Sequence, residues 1–217
     1  APRASATESA IQTALEIQAP AGADSVGMRK FELMQIGSMF LVSSTQDALV
    51  VLDQHAAHER VLFERFLLLL REGDRFHGHQ TLLLPDVLRL DPDELESLDA
   101  NSDFLRRAGF DFEVSGEDPG TVSICSVPAG CRNASGAFRS FFRELRDPET
   151  ASLPESEMVA AALACAGAIK AGERLTPDEG RLLVDQLFAT SDPFHCPHGR
   201  PTLVEIPFSE LERRLGR

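Results

Sequence analysis

The sequence predicts an α+β fold in which a smaller subdomain is inserted into a larger one. Three observations predict it. Apolar segments separated by turn residues indicate strands followed by a long helix, up to about residue 71. Residues 71–120 are acidic, and a β-α-β-β-α run occupies the segment from about 72 to 154. The chain then returns with further helices and a final strand, which complete the interrupted subdomain.

The first part of the chain shows linker, hairpin and helix signals. Its opening residues are rich in Ala, Ser, Thr, Pro and Gly, a composition typical of a flexible linker. Gly37 and Ser38 separate two apolar segments, as in a β-hairpin, and Gly73 supplies a helix stop. The predicted elements are a linker over 1–26, hairpin strands Phe31–Ile36 and Met39–Ser43, a strand Ala48–Leu52 and a helix from about Gln54 to Arg71.

The inserted and returning segments show the same kinds of signal. Asp91 followed by Pro92, and Thr176 followed by Pro177, are helix starts, and Gly109 ends a helix. In the insert we expect strands Gln80–Leu90, Phe110–Val114 and Thr121–Val127 and helices Pro92–Arg107 and Ser135–Leu145. In the returning segment we expect helices from about Pro154 to Ala171, Pro177 to Phe188 and Pro207 to Leu215, and a strand Thr202–Ile206.

Composition limits the function classes. With 43% hydrophobic residues and a mean hydropathy of −0.11, the chain is expected to be a soluble globular domain without a membrane span or a signal peptide. Four irregularly spaced cysteines favour a reduced, cytoplasmic protein. The net charge of −13 opposes binding to DNA phosphates, so any contact with duplex DNA is expected to be weak without a partner.

The most informative motif is the stretch Asp53-Gln54-His55-Ala56-Ala57-His58-Glu59, which follows the predicted strand Ala48–Leu52. A carboxylate at Asp53 suits a helix N-cap. In a helix His55 and Glu59 lie one turn apart on one face, where a nitrogen and a carboxylate can share an ion. Glu64 is turned about 140° away from Glu59 at about 100° per residue and is expected to point elsewhere.

Two later clusters complete the candidate donor set. In Cys196-Pro197-His198 a rigid turn holds a thiol and an imidazole two residues apart, and Cys165 is a third candidate. Sulfur, nitrogen and carboxylate donors together favour zinc or manganese over calcium. A thiol redox pair of Cys165 and Cys196 is the alternative for the two sulfurs.

These motifs resemble, in the right order, those of the endonuclease-type MutL mismatch-repair proteins. Asp53 to Glu64 fits Asp-Gln-His-Ala-x-x-Glu-x-x-x-x-Glu, and Ala164–Gly172 and Cys196–Pro201 are similar to the next two motifs. The family's terminal aromatic-x-Arg is represented only by Leu215-Gly216-Arg217. The resemblance implies the C-terminal dimerisation and nuclease domain, with a dimerisation and metal-binding subdomain (27–71 and 155–217) and an external, regulatory subdomain (72–154).

The resemblance also implies metal-dependent nicking of duplex DNA, with one or two divalent ions, Zn²⁺ or Mn²⁺ or both. The expected metal ligands are Asp53, His55, Glu59, Cys165, Cys196 and His198. The expected catalytic residues are Asp53, Glu59, Lys170 and Arg200, of which Lys170 and Arg200 orient ligands or meet phosphate oxygens. His58 and His195 are expected on the surface or behind the ligands.

A further segment, Gln80-Thr81-Leu82-Leu83-Leu84-Pro85, is similar to the hexapeptide with which bacterial MutL proteins bind the replicative sliding clamp. The expected clamp contacts are Gln80, Leu83, Leu84 and Pro85. The alternative is that this segment is an ordinary half-buried strand. The other partners implied are a second copy of the chain, the N-terminal ATPase domain and further mismatch-repair proteins, in a nucleoid-associated location.

The sequence also allows a second class of function. The acidic charge is also consistent with a non-catalytic dimerisation and partner-binding scaffold whose zinc is structural. A closed site with four ligands would favour this scaffold, whereas an open coordination position or a second metal would favour catalysis.

Overall fold

The computed structural model describes residues 32–72, 79–118, 120–128, 131 and 133–217. Helices and antiparallel strands are mixed, which confirms the predicted α+β class. The predicted linker over 1–26, the hairpin start at Phe31 and the turn at Gly73 lie outside the described residues. The described residues form two compact units. We call 62–168 the central unit, and 32–61 together with 169–217 the two-segment unit.

The described strands and helices follow the predicted order closely. The strands are β1 (Met34–Ile36), β2 (Phe40–Ser44), β3 (Ala48–Asp53), β4 (His79–Arg89), β5 (Asp111–Val114), β6 (Thr121–Pro128) and β7 (Leu203–Pro207). The helices are α1 (Gln54–Glu72), α2 (Pro92–Ala100), α3 (Ser102–Arg107), α4 (Ala134–Leu145), α5 (Pro148–Ala151), α6 (Glu155–Gly167), α7 (Pro177–Phe188) and α8 (Phe208–Arg214). Each predicted strand is found, and its ends agree within one residue, apart from the predicted start of the first strand at Phe31, which lies outside the described residues.

Two predicted helices are shorter than expected. The helix predicted over Pro92–Arg107 is interrupted at Asn101, whose side chain donates to the Ser97 carbonyl 2.8 Å away and competes with the helical backbone pattern. The helix predicted to Ala171 stops at Gly167, and Ala168 is extended. The next backbone N–H, that of Ile169, donates to His58 Nδ1 at 3.0 Å instead of continuing the helix. The short helix α5 was not predicted.

The two-segment unit contains a four-stranded antiparallel sheet in the order β1-β2-β3-β7. One face of the sheet is buried, and its core includes Leu41, Leu52 and Ala57 with Leu183 and Leu187 of α7. The other face is apolar yet exposed, because alternate residues of a strand point to opposite faces. Its exposed side chains are Met34, Ile36, Phe40 and Val204.

The central unit contains the β-α-β-β-α run predicted for the insert. Its three antiparallel strands lie in the order β4-β6-β5. Phe138 of α4 is fully buried and makes edge-to-face contacts with Phe110, Phe112 and Phe142, at centroid distances of 5.2, 5.4 and 6.0 Å. Aromatic residues therefore fill this core. Among the described residues, no helix is long and apolar enough to span a membrane.

The compact units divide the chain at 61/62 and at 168/169, within α1 and directly after α6. The second half of α1 and the whole of α6 contribute to the core of the central unit, through side chains such as Leu62, Phe66 and Leu163. The predicted functional division into 27–71 with 155–217, and 72–154, is a statement about roles and stays a prediction.

Candidate metal centre

The first candidate motif lies where β3 passes directly into α1. Asp53 ends the strand, and its Oδ1 accepts the backbone N–H groups of His55 at 2.9 Å and Ala56 at 3.1 Å. This carboxylate therefore caps the helix, as the sequence predicted, because the first N–H groups of a helix have no partner within it. The cap fixes the first turn of α1, which carries His55, and Glu59 follows one turn later.

Three donors from distant parts of the sequence meet around Glu59. Ligand atoms of Glu59, Cys196 and His198 all lie within 4.8 Å of one another, and Glu59 and Cys196 are buried. His55 Nε2 lies 3.2 Å from Glu59 Oε1, while His198 Nδ1 lies 3.8 Å from Glu59 Oε2. Each carboxylate oxygen thus faces one imidazole: Oε2 faces His198, which belongs to the group with Cys196, and Oε1 faces His55.

The electrostatics of the cluster favour an ionised carboxylate. Burial raises the pKa of Glu59, but the nearby His198 ring, the hydrogen bond from His55 and the charges of both rings lower it more, and the net pKa is well below the usual range. The pKa of His55 is raised, chiefly by its hydrogen bond to Glu59. A divalent cation could replace the protonated imidazoles as the positive partner of this buried carboxylate.

The donor set fits a zinc-type ion. Zinc is held in proteins by cysteine, histidine and carboxylate ligands, most often four in number. His55 is already oriented for such a role, because its Nδ1 lies 2.8 Å from the Ile169 carbonyl while its Nε2 faces Glu59. A backbone carbonyl behind a histidine fixes the ring and its tautomer in metal sites.

The donors Cys196 and His198 lie on one tight turn. The Cys196 N–H donates to the Arg200 carbonyl at 2.8 Å, and the Gly199 N–H donates to the Cys196 carbonyl at 2.9 Å. Gly199 has φ of +74°, a left-handed conformation that glycine adopts without strain. The turn carries the side chains of both residues to Glu59.

His58 and Lys170 lie close to the cluster. His58 is buried, and it accepts the Ile169 N–H, so the two histidines of the first motif hold the peptide groups on either side of Ile169. The charge of Lys170, the next residue, lowers the pKa of His55 and therefore lies near it. Arg200 is exposed, and His195 is exposed with its Nδ1 3.1 Å from Asp192.

Cys165 is placed differently from the other predicted ligands. It is buried in α6 of the central unit, and its thiol lies 3.2 Å from Glu144 Oε1 of α4. The group of donors within 4.8 Å consists of Glu59, Cys196 and His198, all of which belong to the two-segment unit. The contact with Glu144 has no signal in the local sequence around Cys165.

The candidate clamp-binding residues lie on β4, an edge strand of the central unit's sheet. The pairing of β4 with β6 shifts register between Thr81 and Asp86, so the Leu-rich segment lies at an irregularity. Leu83 is 99% exposed and Leu84 79% exposed, and Gln80 and Pro85 are exposed as well. The alternative of an ordinary half-buried strand does not describe Leu83 and Leu84.

Sequence reasoning missed two residues that organise the site. Gln54 is buried, and its Nε2 donates to the carbonyls of Ser38 at 2.9 Å and Glu173 at 3.0 Å. Arg60 reaches from α1 to the loop that carries Cys196. The position of each next to a candidate ligand was the only local signal, because their partners are distant in sequence.

Carboxylate, thiol and imidazole donors gathered on an antiparallel α+β fold define a candidate metal-binding protein. The family described as the MutL C terminal dimerisation domain matches residues 33–175, about two thirds of the chain. The chain therefore belongs to the MutL family. The matched residues include the first two motifs, whereas Cys196 and His198 lie beyond them.

Relatives of the chain agree with this family. It is 40% identical over 187 residues to the DNA mismatch repair protein MutL of Phenylobacterium zucineum (strain HLK1), covering 84% of this chain and 29% of that protein. It is 38% identical over 189 residues to that of Bradyrhizobium sp. (strain ORS 278) and 35% identical over 191 residues to that of Chelativorans sp. (strain BNC1). In both cases the match covers 84% of this chain and 30% of the relative, so the chain spans less than a third of these relatives' length.

Proposed function

We propose that this domain is a metal-dependent endonuclease that nicks duplex DNA during mismatch repair, acting as a homodimer. The meeting of Glu59, Cys196 and His198 within 4.8 Å carries the proposal, since these donors come from the two ends of the described chain. His55, Glu59, Cys196 and His198 would hold a zinc or manganese ion. The ion would supply Lewis-acid chemistry for phosphodiester hydrolysis.

The remaining residues have proposed roles around that ion. Asp53, at the start of α1, is a second-site ligand or the general base that takes the proton from the attacking water. Lys170 and Arg200 are cations that orient ligands or meet phosphate oxygens, and the effect of Lys170 on His55 supports its proximity. Cys165, whose thiol lies 3.2 Å from Glu144 Oε1, is proposed as a further ligand.

The exposed sheet face supports the proposed homodimer. Met34, Ile36, Phe40 and Val204 form an apolar surface on neighbouring strands, and a surface of this kind is typical of an interface. A second copy of the same face would cover it. The family's description as a dimerisation domain agrees with this proposal.

The exposed leucines on β4 support a proposed contact with the sliding clamp. Leu83 and Leu84 offer apolar side chains to a partner pocket, and Gln80 stands at the start of the same segment. A clamp threaded on DNA would raise the local concentration of an acidic domain that binds phosphates weakly. The N-terminal ATPase, other repair proteins and a cytoplasmic, nucleoid-associated location complete the proposal.

Nicking of supercoiled plasmid with Mn²⁺ tests the enzyme, with elemental analysis and anomalous scattering on the same preparation. We expect a bound ion at Glu59, and loss of both ion and nicking in C196A and H198A. The control is C131A, which replaces a partly buried cysteine of the central unit. A domain that binds metal normally but does not nick, alone or with clamp and ATPase domain, would contradict the enzyme.

The charge of −13 and the exposed sheet face favour a second candidate, a dimerisation scaffold with structural zinc. Coordination distinguishes the two candidates. Four protein ligands that close the zinc site support the scaffold, whereas a ligand position open to solvent or a second ion supports the nuclease.

A further inference from the structure

The side chain of Arg60 crosses from α1 to the loop that carries two of the candidate metal ligands. Its Nε donates to the His195 carbonyl at 2.5 Å, and its Nη2 donates to the Cys196 carbonyl at 3.3 Å. The same Nη2 lies 3.8 Å from the Asp192 carboxylate. Arg60 directly follows Glu59 in the sequence, so one turn of α1 holds both a ligand and a contact to the ligand loop.

These contacts link the Arg60 side chain to the loop in a fixed geometry. The Arg60 side chain is only 11% exposed, and a guanidinium withdrawn from water needs hydrogen-bond acceptors for its donors. Here two carbonyls and a carboxylate meet a planar group with several donors in fixed directions. A lysine at this position would keep the charge, but it could not reproduce that fork of contacts.

The loop also has bonds of its own. Cys196 and Gly199 form the tight turn described above, and the Thr202 N–H donates to the Phe194 carbonyl at 3.0 Å. Asp192 accepts the Phe194 N–H at 3.0 Å. The loop therefore has internal bonds that do not involve Arg60, and Arg60 adds contacts between this loop and the helix that carries Glu59.

We propose that Arg60 is the positioning residue of the metal centre, which holds Cys196 and His198 at ligating distance from Glu59. The inference rests on the proposed function, because it presumes that this cluster binds a metal. Arg60 itself neither ligates the ion nor contacts the DNA in this assignment. Residues behind the ligands commonly change metal affinity roughly 10–100-fold when they are replaced.

The test compares R60M, which keeps an apolar stem without charge, with R60K, D192N and the control R181M in the whole 217-residue chain. Arg181 lies on α7 of the same unit, with an exposed ion pair to Asp178 at 3.2 Å. Zinc affinity is measured by competition with a chelator. The absorption of bound Co²⁺, whose thiolate band reports the bond to Cys196, is recorded for every variant.

We expect R60M to weaken zinc binding roughly 10–100-fold and to reduce or shift the thiolate band. R60K should recover part of both, D192N should lose less than R60M, and R181M should match the wild type. If R60M does not fold, the thiolate band and zinc affinity of R60K decide the matter in the same way. Zinc affinity within about twofold of the wild type and an unchanged band in the folded Arg60 variants would overturn the inference.

The wild type separates this inference from the proposed function. If the wild-type chain shows no thiolate band and C196A binds zinc equally well, the metal centre at Glu59 is wrong, and the role of Arg60 fails with it. If the wild type shows the band and C196A removes it, the centre stands whatever the Arg60 variants do.

Discussion

The structure gives Asp53 two roles that substitution can separate. Its Oδ1 caps α1 by accepting two backbone N–H groups, and its charge is the proposed catalytic feature. D53N keeps an acceptor that serves equally well at an N-cap and loses the charge near the helix N-terminus, which costs about 0.3–1 kcal/mol of unfolding free energy. D53A also loses the cap, so its total cost is about 1–3 kcal/mol.

We expect D53N and D53A to lose nicking activity alike, although their free energies of unfolding differ. Both remove the carboxylate, so both should lower manganese-dependent nicking by at least about 100-fold, the smaller end of the contribution of a general base. Urea unfolding gives the free energies, and nicking of supercoiled plasmid at saturating Mn²⁺ gives the activities. The control is D47N, which removes a charge from an exposed turn and should change neither quantity.

Two results would refute this reasoning. Full nicking by D53N would remove the carboxylate of Asp53 from the mechanism, whatever its stability. Equal loss of stability in D53N and D53A would show that the two backbone bonds at Oδ1 do not stabilise α1 as an N-cap does.

Three further predictions concern the partners and the metal. Replacing Gln80 and Leu83 together by Ala should abolish stimulation by the clamp and leave basal nicking unchanged. V87A, at an exposed position of the same strand, should change neither stimulation nor basal nicking, and stimulation that survives the double change shows that the segment is only a strand. V204D should shift the domain from dimer to monomer in sedimentation, since a charge left unpaired in an apolar interface costs about 3–5 kcal/mol, and an unchanged dimer would place the interface elsewhere. Zinc affinity should fall as the pH drops through the pKa of His55, because the ion needs the unprotonated ring. The hydrogen bond to Glu59 raises that pKa above 6.5. Calorimetry that finds the same zinc affinity between about pH 6 and 8 would contradict this prediction.

The sequence predicted those parts of the fold that depend on local patterns. Apolar segments separated by turn residues predicted the strands, and the proline and capping residues at Asp91 and Thr176 predicted the starts of α2 and α7. The ends of helices were harder to predict. The stop at Gly167 depends on an acceptor supplied by His58, more than a hundred residues earlier in the chain, and no local pattern records such a bond.

Local patterns also predicted some features of the candidate site and not others. The neighbouring positions of His55 and Glu59 follow from helical periodicity, and the closeness of Cys196 and His198 follows from their turn. That the two pairs meet could be inferred only from the order of the motifs. The partner of Cys165 and the contacts of Arg60 depend on how remote side chains lie in the folded chain, so residue spacing could not reveal them.

The pairing of β3 with β7 also sets the order in which the site can be completed as the chain is made. Leu52 lies opposite Leu203, and the Asp53 N–H donates to the Thr202 carbonyl, so the loop before β7 reaches the start of α1 only when these strands are in register. The ribosome adds about 5–20 residues per second, so β7 follows β3 by roughly 8–30 seconds. During that interval a growing chain presents His55 and Glu59 without their sulfur and imidazole partners. The candidate donors Glu59, Cys196 and His198 would therefore meet only after β7 has been made and has paired with β3.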